Sequence, residues 1–538
     1  MRPFPCLLVL LAACAPDPVP TVPLFDGLGS HHHPITVRST EAQAYFDQGL
    51  RLTYGFNHAE AIRSFEQAAR LDGTCAMCWW GIAFAAGPNI NALMDSTGGV
   101  LAWDAIGKAQ ALAAPASESD RAYIEALAHR YGPDPTAARA SLDSAYAAAM
   151  EAVARRFPED DDAQVLYADA IMNRSPWDYW NADRSPKPGT PDLLAALERV
   201  VARSPEHAGA CHLYIHAVEK VDAQRAVPCA ERLPALMPSA GHIVHMPAHI
   251  FIRVGRYVDA IEHNHAATHA DERYIHAEKP QGIYPLAYYP HNYDFLAFAA
   301  AMAGHRAEAL EAARSGAAAV DTAMSSVPAL GGLQNYLVLP QRLMVRFGLW
   351  DEILSEPVRG AGQPFVEGYL RYARGMALLR TGQEGAAKAE LERLKTSLDN
   401  PDLEPVYVWW NPARAILSLG ALALEAELLH ADGKHDAAVS LLEKAVAIED
   451  GLIYDEPPPW STPSRHVLGR MHLERGHFAE AEAVFRADLA QHPENGWSLF
   501  GLARALEGQG KRGDAAATTA RFDQAWVTAD ADPGIGSF

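Results

Sequence analysis

The sequence predicts an all-α chain built as a long stack of helical hairpins. Three observations carry that reading. Alanine is used heavily while strand-type alternation is scarce, which favours helix. One pattern of small and aromatic residues recurs at intervals of about 34 residues in several parts of the chain. And 538 residues at 49% hydrophobic and 21% charged are enough for a repeat array and too apolar for disorder. The formal net charge of -21 repels polyphosphates, so nucleic acid is excluded as a partner and cations are attracted.

The repeats begin early. Ala42 to Gly73 reads as two helices, with Tyr45, Gly49 and Leu52 on the first and Ala61, Phe65 and Ala68 on the second. A second unit starts at Ala76, 34 residues on (76 − 42), with Trp79 and Ala83 on its first helix and an irregular loop at Asn89, Asn91 and Gly98-Gly99. Further units lie around Gly375, Gly382 and Ala387, and around Ala426, Gly433, Ala438 and Ala445. Near the end, Gly469, Ala481 and Phe485 mark one unit, while Trp497, Leu502 and Ala515 mark the next, the aligned alanines again 34 apart (515 − 481). Small residues let helices approach closely and aromatics fill the space between them. This pattern resembles the tetratricopeptide (TPR) repeat. The resemblance implies a right-handed superhelical α-solenoid whose first helices line a concave groove.

The N-terminus carries an address. Met1-Arg2 is basic, and Leu7 to Leu11 form an apolar stretch too short to span a bilayer. Leu11-Ala12-Ala13-Cys14 resembles a bacterial lipobox, which implies cleavage before Cys14 and lipidation of its thiol; an ordinary signal peptide is the alternative. Ala15 after the cysteine implies the outer membrane, with the protein facing the periplasm and held to the membrane by its lipid alone. The chain then divides into a signal peptide (1–14), a Pro- and Gly-rich tether (15–40), an N-terminal and central array (41–320) and a C-terminal array (321–538).

The middle obeys the same rule with one exception. A repeat begins at Gly241 and turns at Gly255, and the next begins near Pro290 and turns at Gly304. Their starts are 49 apart (290 − 241), and the excess is an insertion, Ile275 to Tyr289, rich in aromatics and proline. Such an insertion is either a functional loop or a packing plug.

The chemistry concentrates here. His242, His245 and His249 stand at i, i+3 and i+7, on one helical face. The TPR register places that face on the groove, with Arg253 further along. Pro247 interrupts the run, and if it opens a new helix, His242 and His245 sit on the preceding turn. His212, His216 and Glu219 repeat the one-face spacing on the preceding repeat, and His291 and Asp294 do so on the following one. Neutral imidazoles on adjacent helices suit a transition metal such as copper, zinc or iron. The competing reading is a polar groove in which histidines only form hydrogen bonds. Glu219, Asp294 and Glu262 are candidates to orient the rings.

Other features are weaker. His265 and His269 read as solvated. His31, His32 and His33 either fold over the groove as ligands or lie on the surface. Cys75-Ala76-Met77-Cys78 has no following histidine for haem and no second CxxC for a zinc ribbon, so a local disulfide is expected. Cys211 and Cys229 are expected to cross-link one repeat. Trp460, after Pro457-Pro458-Pro459, either enters the groove with Glu456 as a ligand contact or belongs to a linker. The sequence has no phosphate loop, GxSxG or HExxH. The stretches around His249, Tyr289-Pro290-His291-Asn292 and Asp455-Glu456-Pro457 resemble those of large bacterial TPR proteins, which supports the architecture and supplies no catalytic residues. Two functions follow: a scaffold whose groove binds a peptide or protein partner, with a metal as part of the site, or a metalloenzyme. An enzyme needs several ligand atoms in bonding reach and a closed pocket, whereas a scaffold needs an open groove.

Overall fold

A computed structural model describes residues 22–534. Helices account for nearly all of its regular structure. Among the described residues the only β elements are a two-stranded hairpin, Tyr407–Val408 with Asn411–Pro412, and two isolated bridges. No helix among them is long and apolar enough to cross a membrane. The signal segment and Cys14 lie outside the described residues.

The helices pair in sequence. Thr40–Tyr54 packs on His58–Leu71, Thr190–Arg203 on Ala208–Asp222, Tyr289–Ala303 on Arg306–Ala319, and so on to Gly496–Gly508 on Arg512–Ala525. One contact explains the period. A Cβ on Gly49 would lie 2.6 Å from the Phe65 ring, and one on Gly81 would lie 2.4 Å from it. At the other end Gly469 and Gly501 relate to Phe485 in the same way, at 2.5 and 2.3 Å. The phenylalanine of a second helix thus wedges between the glycines of two successive first helices. Only glycine admits the ring, so the spacing seen in sequence is a packing requirement.

The chain also folds back. Trp497 Nε1 donates to the carbonyl of Ala301 at 2.9 Å, and the Trp526 ring occupies the space beside Gly304. The last repeats therefore rest on the middle of the array, and the segment Tyr454 to Trp460 is carried to the central histidines.

The expected tether packs from residue 22 onward. Val22 and Leu28 are buried, and Tyr45 Oη donates to the Val22 carbonyl at 2.7 Å. We call residues 22–39 the strap. Its apolar residues give it a face to bury, which Pro and Gly content alone obscures.

Candidate metal centre

Three local structures present the ligands. In helix Ala208–Asp222 the i, i+4, i+7 spacing sets His212, His216 and Glu219 on one buried face. Pro247 does open a second short helix, so the run divides into Gly241–His245 and Pro247–Arg253. Met246 between them keeps helical angles, φ -50 and ψ -34, so the three histidines stay in phase across the proline. His291 sits in the first turn of Tyr289–Ala303, behind Pro290. The Gly241–Arg253 run is buried on nearly every side, so its histidines face the interior and do not line an open groove.

The imidazoles converge in two adjacent triads. In the first, His212 Nε2 lies 3.2 Å from His216 Nε2 and 3.1 Å from His242 Nε2. In the second, His245 Nε2 lies 3.0 Å from His249 Nε2, with His291 completing the group. The triads adjoin, with the rings of His216 and His249 5.3 Å apart. Glu219 touches both, at 3.5 Å from His216 Nδ1 and 3.0 Å from His249 Nδ1.

Hydrogen bonds on the far side of four of the six rings, those of His212, His216, His245 and His249, engage Nδ1. His212 Nδ1–H donates to the Tyr54 carbonyl at 2.6 Å. His245 Nδ1–H donates to Asn264 Oδ1 at 2.7 Å, and Asn264 Nδ2 donates in turn to Ala260, which sets the amide's orientation. His216 and His249 turn Nδ1 toward carboxylates, Glu219 for both and Glu456 for His249 at 3.1 Å. In neutral His212 and His216 the proton is therefore on Nδ1 and the two Nε2 lone pairs face each other at 3.2 Å, while His249, held as a cation by its carboxylates, turns its Nε2 toward the His245 lone pair at 3.0 Å. Lone pairs facing at that distance repel, and a cation between them turns repulsion into coordination. Tetrahedral nitrogen ligands at about 2.0–2.1 Å from a metal stand about 3.3 Å apart, close to the separation here. Such far-side partners are what a histidine metal site requires.

Electrostatics points the same way. Burial, with the repulsion of neighbouring rings, holds His212, His242, His245 and His291 well below the ordinary histidine range, and His216 likewise. All five are neutral, the state in which imidazole binds metal. His249 is the exception. Burial opposes its charge, but Glu219 and Glu456 outweigh it and raise the ring to about 9.

A cavity opens on the triads. Its roof comes from segments that lie outside the repeat pattern. Asn91 and Trp177 come from two N-terminal loops, and Ile283, Ala287 and Tyr288 from the insertion. Trp409 and Trp410 form the turn of the β hairpin, and Asp455 and Glu456 belong to the proline-rich segment. The insertion folds as the end of helix Tyr257–Glu278 and a π-helical turn, Tyr284–Tyr288. Tyr284 Oη accepts from the His242 amide at 3.2 Å and donates to Asp271 at 2.8 Å, which fastens the insertion to the ligand helix.

The remaining candidates are scattered. Arg253 reaches Glu456 at 3.6 Å and donates to main-chain carbonyls of Lys220 and Gln491, outside the cavity wall. Asp294 is buried and accepts from Asn335 at 3.3 Å, away from the cavity. Trp460 is buried against Tyr369 and Tyr372, a packing role. Glu262 is exposed and orients no ring of the triads. His265 pairs with Glu308 at 2.6 Å. Cys75 and Cys78 are bonded, whereas Cys211 and Cys229 are two buried free thiols, so the expected second cross-link is absent.

The strap histidines do not reach the triads. His31 Nε2 and His33 Nδ1 donate to Asp162 at 3.0 and 2.7 Å, His207 at 3.2 Å, and the Tyr54 hydroxyl joins them. His207 accepts the Ala210 amide on Nδ1, so its proton lies on Nε2, aimed at Asp162. This carboxylate is satisfied by four donors without an ion.

Fold and site together define a class: a helical-repeat protein with a histidine-lined centre enclosed among its repeats. The tetratricopeptide-repeat sequence profile matches residues 419–444 and 463–487, so the chain carries TPR repeats. No curated protein matches the sequence. Solved structures similar in fold include a human IFIT1 dimer with m7Gppp-AAAA, at 12% identity and TM-score 0.35 over 91% of each chain. Another is the APC/C hetero-tetramer Cut9–Hcn1, at 12% identity and TM-score 0.30, over 91% of this chain and 74% of that one. At such scores nothing of their ligands or partners transfers to this chain.

Proposed function

We propose that this chain is a metalloenzyme of the bacterial envelope whose helical repeats enclose a dinuclear transition-metal centre. His212, His216 and His242 hold one ion, His245, His249 and His291 hold the other, and Glu219 backs His216 and His249 from behind their rings. The observation that carries this is the convergence of six imidazoles in two buried triads whose Nε2 atoms approach to 3.0 to 3.2 Å, with His212 and His245 each oriented by a partner behind the ring. A neutral, imidazole-rich donor set suits copper or zinc ahead of iron, and disfavours magnesium and calcium. With three protein ligands each, both ions keep open positions toward the cavity. Enclosure favours this reading over a scaffold that grips a peptide. A partner-binding role has its own support in a wide open cleft lined by Trp180, Lys220, Tyr454 and Gln491, beside the centre and outside it. The envelope address rests on the stretch ending at Cys14.

The test is elemental analysis of the soluble form that begins after Cys14. Two equivalents of copper or zinc are expected. His212→Ala/His242→Ala and His245→Ala/His291→Ala should each lose one. No metal after reconstitution with both ions would overturn the proposal and leave a TPR scaffold.

A further inference from the structure

We infer that the cavity beside the triads takes a planar aromatic molecule of one or two rings carrying an oxygen donor. The donor end of this inference rests on the metal reading above, and the ring end does not.

The walls are aromatic on three sides, and each wall stands against a ligand ring. Trp177 meets His216 edge to face at 4.9 Å between centroids, Tyr288 meets His242 at 4.8 Å, and Trp409 meets His291 at 6.2 Å. Trp410, Ile283 and Ala287 extend the same lining. The indole N–H of Trp177 is committed to the Ile90 carbonyl and Asn91 Oδ1, at 2.9 and 3.1 Å, so that side chain offers the cavity carbon surface. Rings arranged this way reward a flat π system through offset and edge-to-face contact, beyond what area alone provides.

Polar atoms interrupt this aromatic lining. His242 Nδ1, Tyr288 Oη, His291 Nδ1 and Asp455 Oδ2 belong to lining residues, are buried, and have no hydrogen-bond partner. Buried polar atoms are nearly always paired, so four orphans around one cavity mark a missing polar group. A ligand with an apolar disc and an oxygen at its edge meets both the rings and these polar atoms. A phosphorylated molecule is not selected, because no lysine or arginine lines the cavity.

The experiment titrates the soluble chain, reconstituted with zinc, with phenol and with cyclohexanol, and repeats the pair with benzoate and cyclohexanecarboxylate. Each pair shares its oxygen donor and ring size and differs in aromaticity. Calorimetry should give the aromatic member at least tenfold tighter binding. Trp177→Ala and Trp409→Ala should remove that preference with zinc content unchanged. Equal affinity within the pairs, no binding of either member, or a preference that survives both substitutions would overturn the inference. If a variant fails to fold, the comparison within the parent chain still decides. The two readings fail separately. Two equivalents of zinc without an aromatic preference sink the cavity assignment alone. A tryptophan-dependent preference in a protein that holds no zinc sinks the metal reading alone.

Discussion

At the scale of single residues, the ligands depend on groups that make no contact with the site they serve. Asn264 holds the proton of His245 on Nδ1 and so aims its Nε2 inward. Asn264→Ala should lower metal affinity about 10–100-fold, the usual cost of losing such a partner, with little change in the fold. Competition with a chromophoric chelator reads this directly, and unchanged affinity would dismiss the role. Gly241 is a second case. A Cβ there would lie 1.9 Å from Asp271 Oδ1, and Asp271 is fixed by Tyr284 and by Asn292 at 2.7 Å. Gly241→Ala should destabilise by about 2 kcal/mol, the cost of overpacking, measured by denaturant unfolding. The gathering of the six histidines and Glu219 in one place was legible in the sequence because helices place i, i+3, i+4 and i+7 on one face. Asn264 was not, because a single amide on a second helix carries no periodic signal. Glu262 was misread for the same reason: its partner could be assigned only once the helix's outer face was known.

At the scale of elements, the strap is held by one carboxylate. Burial opposes the charge on Asp162, yet His31, His207 and His33 hold it well below the usual range. Burial likewise opposes the charge on His33, but Asp162 raises that ring to about 9. The signs follow. The His33 contribution is complete below its unfolded value of 6.5 and is lost as pH rises through about 9. The Asp162 contribution is present above about 3.9 and is lost as pH falls through its lower folded value. The strap should therefore resist protease at pH 6 and be cut within residues 22–39 at pH 10. Asp162→Asn should expose it at pH 6 and cost on the order of 3 kcal/mol, as when a buried pair is broken. Equal cleavage at both pH values would refute the latch. The repeats themselves were readable because the Gly–Phe–Gly wedge imposes its spacing on the chain. The strap was read as part of a tether because Pro, Gly and Asp are frequent over residues 15–30, while its apolar anchors, Val22 and Leu28 among them, follow no helical or strand period.

At the scale of the whole molecule, the centre joins parts of the chain far apart in sequence. Ligands come from residues 212 to 291, and Glu456 arrives from the far end of the array to meet His249. Ions held there bind the folded state alone, so their removal should lower its stability. At a thousandfold excess of metal over Kd the linkage is worth about 4 kcal/mol, which for a chain of this size lowers Tm by about 4 °C on chelation. Calorimetry with and without chelator measures this, and His245→Ala/His291→Ala should be markedly less sensitive. No shift in the parent protein would mean that the triads do not hold ions. The solenoid class was legible from composition and period. The closure was not, because Trp497 meeting Ala301 is a contact between repeats that look alike in sequence.

The roof of the cavity has a consequence for how such a protein diversifies. The floor is made by helices whose spacing the repeats dictate, so a change there disturbs the whole stack. The walls are loops inserted between repeats: Trp177 on one, Tyr288 on another, Trp409 and Trp410 on a hairpin, Asp455 on a fourth. Each can lengthen, shorten or be exchanged without altering the period of the helices beneath. Kindred chains can therefore keep one floor and vary its ceiling, so a shared centre need not mean a shared substrate.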